Sequence, residues 1–181
     1  MKRCAWATTE LMKNYHDEEW GKPLHDDQAL FELMILETMQ AGLSWATILN
    51  KRENYRKALD GFDPDKIILY DQKKIEELLS NPGIIRNKLK INSLLKNAVA
   101  YLKVRQDYGT FDRYIWSFVE GNTIVNHFDN MEQVPAKTDL SVTLSKEMKK
   151  RGFTFIGPVT CYAFMQAAGL VNDHVNDCSF K

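Results

Sequence analysis

The feature that most constrains this sequence is an acidic residue inside a helix that is apolar on most of its sides. Residues 30–41 read LFELMILETMQA, a composition that predicts a helix at the centre of the fold. Glu37 shares one face of that helix with Leu33 and Ala41. A carboxylate there costs free energy unless it is paired or lines a cavity. Glu37 is therefore either a glutamate satisfied by a neighbouring polar group or a functional acid, whereas we expect Glu32 at a solvated rim.

Apolar residues at helical spacing dominate the rest of the chain, and no segment alternates with the two-residue period of a strand. The 181 residues are predicted to form one all-α domain. The longest predicted loop spans 121–138. The predicted helices cover approximately residues 28–41, 44–59, 71–80, 85–104, 111–119, 141–150 and 158–169.

Composition excludes some classes of protein and leaves others open. The 24 basic and 24 acidic residues cancel, so a nucleic-acid-binding role would need a local basic patch. Polar residues interrupt the most apolar stretch, 30–49, which argues against a membrane span. Three widely separated cysteines favour a reducing compartment over a disulfide framework. We therefore expect a cytoplasmic protein without a membrane partner.

Four potential metal ligands lie near the two ends of the chain. Cys4 and His16 lie near the start, and His174 and Cys178 are four residues apart near the end, which would place the last two on one face if that tail were helical. Two thiolates and two imidazoles would make a closed tetrahedral zinc site. The spacing alone is weak, and two free cysteines with two surface histidines are the alternative.

Two turns between predicted helices are candidate DNA contacts. Around residues 78–90, a Pro-Gly turn containing Gly83 precedes Arg86, Lys88 and Lys90. Such a hairpin can aim backbone N–H groups and a helix N-terminus at a phosphate, although an ordinary helix–helix corner has the same sequence features.

The second turn is Gly42-Leu43, which follows the apolar helix directly. Leu43 is either tucked into the core or offered outward as a wedge. Trp45, in the first turn of the next helix, is either a core residue or an aromatic surface beside Glu37.

Taken together, several stretches resemble the 3-methyladenine DNA glycosylase I family. They span most of the chain in family order and include RCAW at 3–6, YHDEEWG at 15–21, QAGLSW at 40–45, GIIR at 83–86 and NDH at 172–174. Three positions depart from the family pattern. Met12 stands where a second tyrosine is common, Ala163 replaces an expected hydroxyl residue, and Ile85 replaces the second glycine of the commoner hairpin signature.

The resemblance implies roles for individual residues. Glu37 would contact the lesion base, Tyr15 and Trp45 would line its pocket, and Trp6 and Trp20 would lie nearby. Gly42-Leu43 would fill the gap left by the flipped nucleotide. The zinc ligands would be Cys4, His16, His174 and Cys178, with one structural zinc per chain tying residues 1–25 to residues 170–181.

The resemblance also implies an activity. The protein would be a compact helix-hairpin-helix glycosylase, acting as a monomer on double-stranded DNA that contains alkylated adenine. It would flip the nucleotide out of the duplex, release 3-methyladenine and leave an abasic site without forming a Schiff base. The main alternative is a non-catalytic, zinc-stabilised helix-hairpin-helix module that binds DNA, which would need no acid in a pocket.

Overall fold

The computed structural model describes residues 1–181 and contains nine α-helices and one two-residue strand pair. The predicted all-α class is confirmed. No helix combines the length and the apolar character needed to cross a membrane. The helices are α1 (Glu10–Glu18), α2 (Asp27–Gln40), α3 (Trp45–Ala58), α4 (Pro64–Ile67), α5 (Gln72–Ser80), α6 (Lys88–Tyr108), α7 (Phe111–Ser117), α8 (Asp139–Lys150) and α9 (Pro158–Ala167), and the strands are β1 (Ile124–Val125) and β2 (Val171–Asn172).

Helix α2 lies at the centre of the fold, as its composition predicts. Ten consecutive residues, Leu30 to Met39, are buried, and α3, α6, α7 and α9 pack around the helix. Asp26 caps its N-terminus by accepting from the amide of Ala29 at 2.8 Å. The next residue, Asp27, accepts from the amides of Phe111 and Asp112 at the start of α7. These contacts fix the direction in which α2 runs through the core.

The expected rim position of Glu32 is wrong. Its side chain is 10% exposed, and its Oε1 lies 2.6 Å from Arg52 Nε and 2.7 Å from Arg56 Nη2. Both arginines come from α3, which packs against this side of α2. The Glu32 carboxylate is therefore buried because it pairs with two cations from the neighbouring helix. No local sequence pattern predicts this pairing.

Two further differences from the sequence prediction affect the surface around the site. Helix α6 begins at Lys88 rather than near Ile85, because the Asn87 side chain caps it by accepting from the Lys90 amide at 3.1 Å. The predicted loop 121–138 contains β1, which pairs in parallel with β2. That pairing holds the loop against the C-terminal segment.

The two chain ends meet in a second, smaller core beside the main one. One backbone hydrogen bond joins the Ser179 amide to Lys2 O at 2.9 Å, and the Lys2 amide donates to the side-chain Oγ of Ser179 at 3.0 Å. The buried members of this core come from α1, its flanking segments, α3 and the C-terminal tail: Cys4, Tyr15, Trp20, Leu49, Val175 and Cys178.

Gly169 lies just after α9, at a position where the backbone leaves no room for a larger residue. Its φ is +72°, and a Cβ atom there would lie 2.1 Å from Lys22 O. Gly121 has a similar φ of +76° but open space around it. We expect Gly121→Ala to cost about 1–2 kcal/mol from backbone strain alone. Gly169→Ala should cost at least about 2 kcal/mol more in urea unfolding, and equal losses would contradict the proposed steric contact.

Candidate functional site

A cavity of about 400 Å³ opens between α1, α2, α9 and the loop that precedes α8. Glu37 from α2 contributes the acidic group of its lining. The other lining residues are mostly apolar or aromatic: Trp6, Met12, Tyr15, Trp20, Gln40, Trp45, Met131, Val134, Pro135, Ala136, Val159, Tyr162, Ala163 and Gln166. The size and lining are those of a small-molecule pocket with few polar groups.

The carboxyl group of Glu37 has no polar partner in the protein. The residue is 4% exposed, and its Oε2 is buried without a hydrogen bond. Burial raises the pKa of Glu37 to about 8, because a charged carboxylate is poorly solvated in an apolar cavity. The group is therefore mostly neutral at pH 7 in the empty pocket. A cation entering the pocket would favour its ionised form.

The aromatic residues that the sequence predicts at the site all line this cavity. The Tyr15 and Trp45 rings lie 5.3 Å apart, and the Trp6 and Trp20 rings lie 5.1 Å apart, edge to face. The indole Nε1 of Trp45 is buried without a partner. Aromatic faces attract cations, so these walls and Glu37 suit a flat, positively charged ligand.

Several lining residues were missed by the sequence reasoning. Gln40 follows Glu37 by three residues, a spacing that could have placed it on the same face. Tyr162 and Gln166 are four residues apart on α9 and could have been grouped in the same way. Residues 131–136 carry no such signal, because their position depends on the pairing of β1 with β2. The departures Met12 and Ala163 also line the cavity.

The four candidate metal ligands converge, although they come from both chain ends. The ligand atoms of Cys4, His16, His174 and Cys178 all lie within 4.8 Å of one another, and all four residues are buried. The alternative of surface histidines is therefore wrong. The tail is not helical after Asn172, so a turn, and not an i, i+4 helical face, brings His174 and Cys178 together.

The surroundings of the two imidazoles fit a bound metal ion. The Nδ1 atom of His16 lies 2.8 Å from Asp17 Oδ1, and Arg3 in turn holds Asp17, so Nε2 of His16 is left to face the cluster. His174 Nε2 lies 3.3 Å from Trp20 O, whereas its Nδ1 is buried without a partner. Histidines that ligate metals usually have their second nitrogen held in this way.

The Cys/His cluster packs directly against the pocket wall. The Trp6 ring lies 5.2 Å from the His16 ring, and the Trp20 ring lies 4.7 Å from the His174 ring. Both tryptophans also line the cavity. A change in the cluster would therefore move the aromatic residues that a ligand would contact.

The Gly42-Leu43 turn lies on the surface near the end of α2. Gly42 has a φ of +80°, and Leu43 is 39% exposed. The alternative that Leu43 is tucked into the core is therefore wrong. Its exposure leaves the side chain available to an external partner.

The 78–90 hairpin docks on α3 and leaves its basic end exposed. The Asn54 side chain donates to Gly83 O at 3.2 Å, and a Cβ on Gly83 would lie 3.2 Å from Asn54 Cγ. Arg86 and Lys88 are exposed. The amides of Lys88 and Leu89, in the first turn of α6, donate to no acceptor in the protein, as expected at a free helix N-terminus.

Lys90 differs from its predicted role as a third surface cation of the hairpin. It is buried, and its Nζ donates to Met39 O at 2.8 Å and to Ala41 O at 2.6 Å. These carbonyl groups lie at the C-terminal end of α2, which carries partial negative charge. Lys90 therefore joins the hairpin to the turn that presents Leu43, so the two candidate DNA contacts are held in a fixed relation.

Comparison with known proteins agrees with this architecture. A family model described as methyladenine glycosylase matches residues 6–181. The chain therefore belongs to the methyladenine glycosylase family. It is 50% identical over 180 residues to the DNA-3-methyladenine glycosylase of Haemophilus influenzae, covering 99% of this chain and 97% of that protein.

Solved structures of similar proteins share the fold over nearly the full length. A crystal structure of 3-methyladenine DNA glycosylase I matches with a TM-score of 0.96 at 45% identity, covering 98% of each chain. A tyrosine-to-phenylalanine variant of 3-methyladenine DNA glycosylase I, in complex with 3-methyladenine, matches with a TM-score of 0.96 at 39% identity, covering 100% of this chain and 98% of that chain.

The raised pKa of Glu37 predicts how pH affects stability. Because the folded pKa of about 8 lies above the ordinary glutamate value of 4.5, this group's stabilising contribution is complete below about pH 4.5 and is lost as pH rises through 8. The side chain introduced by Glu37→Gln cannot ionise, so the unfolding free energy of this variant should rise relative to that of the parent between about pH 4.5 and pH 8, by up to about 1.4 kcal/mol per pH unit. Urea titrations across this range measure the difference. Glu76→Gln, on the exposed side of α5, is the control, and a flat difference for Glu37→Gln would contradict the raised pKa.

Proposed function

We propose that this protein is a DNA-3-methyladenine glycosylase that hydrolyses the N-glycosidic bond of 3-methyladenine in alkylated DNA. The observation that carries the proposal is the buried, unpartnered carboxyl group of Glu37 in an aromatic-walled cavity. A flat cation would fit such a cavity, because it could pair with the carboxyl group and stack on the aromatic rings. Adenine methylated at N3 is such a cation while it is attached to deoxyribose, whereas ordinary adenine is neutral.

The charge on the lesion reduces the chemistry that the enzyme must supply. When the bond between the sugar C1′ and the base nitrogen breaks, its electron pair moves to the base and neutralises the positive charge. Water adds to C1′ and loses a proton, which leaves an abasic site. No protein nucleophile is required, so the reaction is monofunctional.

Glu37 acts in this reaction mainly by recognising the cationic base. The positive base lowers the cost of ionising Glu37, and the resulting carboxylate contacts the base. Stacking on Tyr15 and Trp45 adds cation–π attraction of about 1–2 kcal/mol when water is excluded. Trp6 and Trp20 complete the aromatic wall. Selectivity against normal adenine follows from its lack of charge.

Access to the pocket requires the nucleotide to leave the duplex. Flipping costs a few kcal/mol, and an inserted apolar side chain offsets part of this by filling the gap. The exposed Leu43 on the Gly42 turn is suited to that role. The free amides at the start of α6, with Gly83, Arg86 and Lys88 nearby, suit a backbone phosphate of double-stranded DNA. This local patch supplies the positive charge that the overall composition lacks.

We also propose that the Cys4, His16, His174 and Cys178 cluster holds one Zn²⁺ ion. Bound there, zinc would be structural, since four protein ligands leave no coordination position for water. It would join residues 1–25 to residues 170–181 beside the pocket wall. Free cysteines suit a reducing cytoplasm, and we expect the protein to act as a monomer.

The proposed function is tested by measuring release of 3-methyladenine from methylated duplex DNA. The parent protein should release the base, and Glu37→Gln should reduce kcat/KM by roughly 10- to 100-fold, because a contact between the base and a charged group is lost. Glu76→Gln is the control and should match the parent. DNA binding without base release by the parent would instead favour a non-catalytic DNA-binding module.

The metal proposal predicts one zinc per chain by elemental analysis of protein purified without chelators. Cys4→Ser should lose the metal and lower the melting temperature, because the tie between the chain ends is broken. Cys161→Ala is a matched control, since Cys161 is buried in the main core. That variant should keep its zinc. Full zinc occupancy in Cys4→Ser would contradict the assigned ligand set.

If Leu43 enters the DNA, Leu43→Ala should weaken binding to duplex DNA containing an abasic analogue by roughly tenfold, while the melting temperature should change little because the side chain is partly exposed. Fluorescence anisotropy measures the affinity. Leu69→Ala removes an equally large side chain that is 76% exposed and should bind normally. Normal binding by Leu43→Ala would show that Leu43 does not enter the DNA.

A further inference from the structure

Asp173 is a buried carboxylate that the proposed mechanism does not use. It is 0% exposed, and three side chains converge on it. Asn126 Nδ2 donates to Oδ1 at 2.7 Å, while Tyr162 Oη at 2.5 Å and Gln166 Nε2 at 2.8 Å donate to Oδ2. Tyr162 and Gln166 line the cavity, and Asn126 belongs to the loop that supplies residues 131–136 to it. Asp173 therefore joins two parts of the structure that shape the pocket, helix α9 and the loop 121–138.

This arrangement fixes the orientation of the Gln166 carboxamide. A carboxylate can only accept hydrogen bonds, so the amide nitrogen of Gln166 must face Asp173. The carboxamide oxygen, Oε1, then points away from Asp173 and accepts from no group in the protein. This oxygen is not fully buried, and Gln166 lines the cavity. The oxygen is thus available to a bound ligand as an acceptor.

The other carboxamide in the cavity is not fixed in this way. Gln40 also lines the pocket, but its side chain makes no hydrogen bond in the protein, whereas that of Gln166 does. A free carboxamide can rotate to present either its oxygen or its nitrogen. Gln40 therefore imposes no preference between ligand donors and acceptors. Gln166, by contrast, favours a ligand that donates a hydrogen to its Oε1.

We propose that Gln166, positioned by Asp173, is a specificity-determining residue that selects bases carrying an exocyclic amino group over bases carrying a carbonyl group at the same position. The inference rests on the proposed glycosylase function and names which methylated purine the pocket prefers. An adenine-type base can donate its amino hydrogen to Gln166 Oε1. A guanine-type base would place its O6 against that oxygen, leaving two acceptors facing each other without a proton between them.

The Tyr162 hydroxyl also favours a ligand that donates a hydrogen over one that accepts. Its hydrogen is directed to Asp173, so it cannot donate to a ligand at the same time. The Tyr162 hydroxyl therefore offers no donor hydrogen to the ligand while it is bonded to Asp173, and one of the two amide hydrogens of Gln166 is held by Asp173 as well. Sites with fixed polar groups discriminate strongly against analogues that leave those groups unpaired.

The test compares release of 3-methyladenine and 3-methylguanine from methylated duplex DNA. Gln166→Met keeps the side-chain length and removes the acceptor. The ratio of kcat/KM for 3-methyladenine over 3-methylguanine should fall roughly tenfold, mainly through slower 3-methyladenine release. Asp173→Asn introduces an amide donor beside Gln166, which allows Gln166 to turn its nitrogen into the cavity. The ratio should fall in this variant as well.

Gln40→Met is the matched control, because it removes the carboxamide with no fixed orientation from the same cavity. Its ratio should equal that of the parent even if both rates change. Melting temperature and zinc content confirm that each variant is folded, and Gln166→Met remains informative if Asp173→Asn does not fold. An unchanged ratio in Gln166→Met, or a larger change in Gln40→Met, would overturn the inference.

The glycosylase function and the role of Gln166 in base selection are contradicted by different results. A parent protein that releases neither base would contradict the glycosylase function itself. A parent that releases 3-methyladenine, together with a Gln166→Met variant of unchanged ratio, would leave the glycosylase function intact and remove Gln166 from base selection.

Discussion

The structure depends on burying one ionisable group, Glu37, away from bulk water. Glu37 lies in the most buried helix of the molecule and has no polar partner for Oε2. An uncompensated charge in such a place is costly, which is why its pKa rises to about 8. The contrast with Glu32, on the same helix, is informative. Glu32 is paired with Arg52 and Arg56, so the fold is able to satisfy a carboxylate in α2 and does not do so for Glu37.

The elements around α2 can be understood as supports for that acid and its cavity. The smaller core at the chain ends carries the aromatic wall, and the Cys/His cluster lies against Trp6 and Trp20. The opposite wall comes from α9, with Asp173 fixing its polar groups. At the end of α2, Lys90 connects the Leu43 turn to the hairpin. The proposed base recognition and the proposed DNA contact would thus both depend on α2.

Local sequence patterns predicted the elements better than their interactions. The central position of α2 followed from its apolar composition. Glu37 was recognisable as unusual, but two alternatives remained until the cavity was visible. The family resemblance supplied the choice of substrate and the roles of the aromatic residues, which spacing alone does not provide.

The sequence reasoning failed where long-range contacts decide the outcome. Glu32 was misplaced because its partners come from α3, and Lys90 was misplaced because its acceptors lie about fifty residues earlier. The contribution of residues 131–136 to the pocket depends on a two-residue strand pair that has no alternating pattern. Gln166 was missed because its significance depends on Asp173.

The most direct test of this account is a carbon-13 NMR titration of the Glu37 side-chain carboxyl, with Glu37→Gln used to assign the signal. In the free protein the carboxyl should titrate with a pKa of about 8. Saturation with a cationic 3-methylated adenine analogue should lower that pKa, since the positive base favours the carboxylate. An ordinary carboxyl pKa in the free protein, or a value that the bound cation leaves unchanged, would contradict the central role of Glu37.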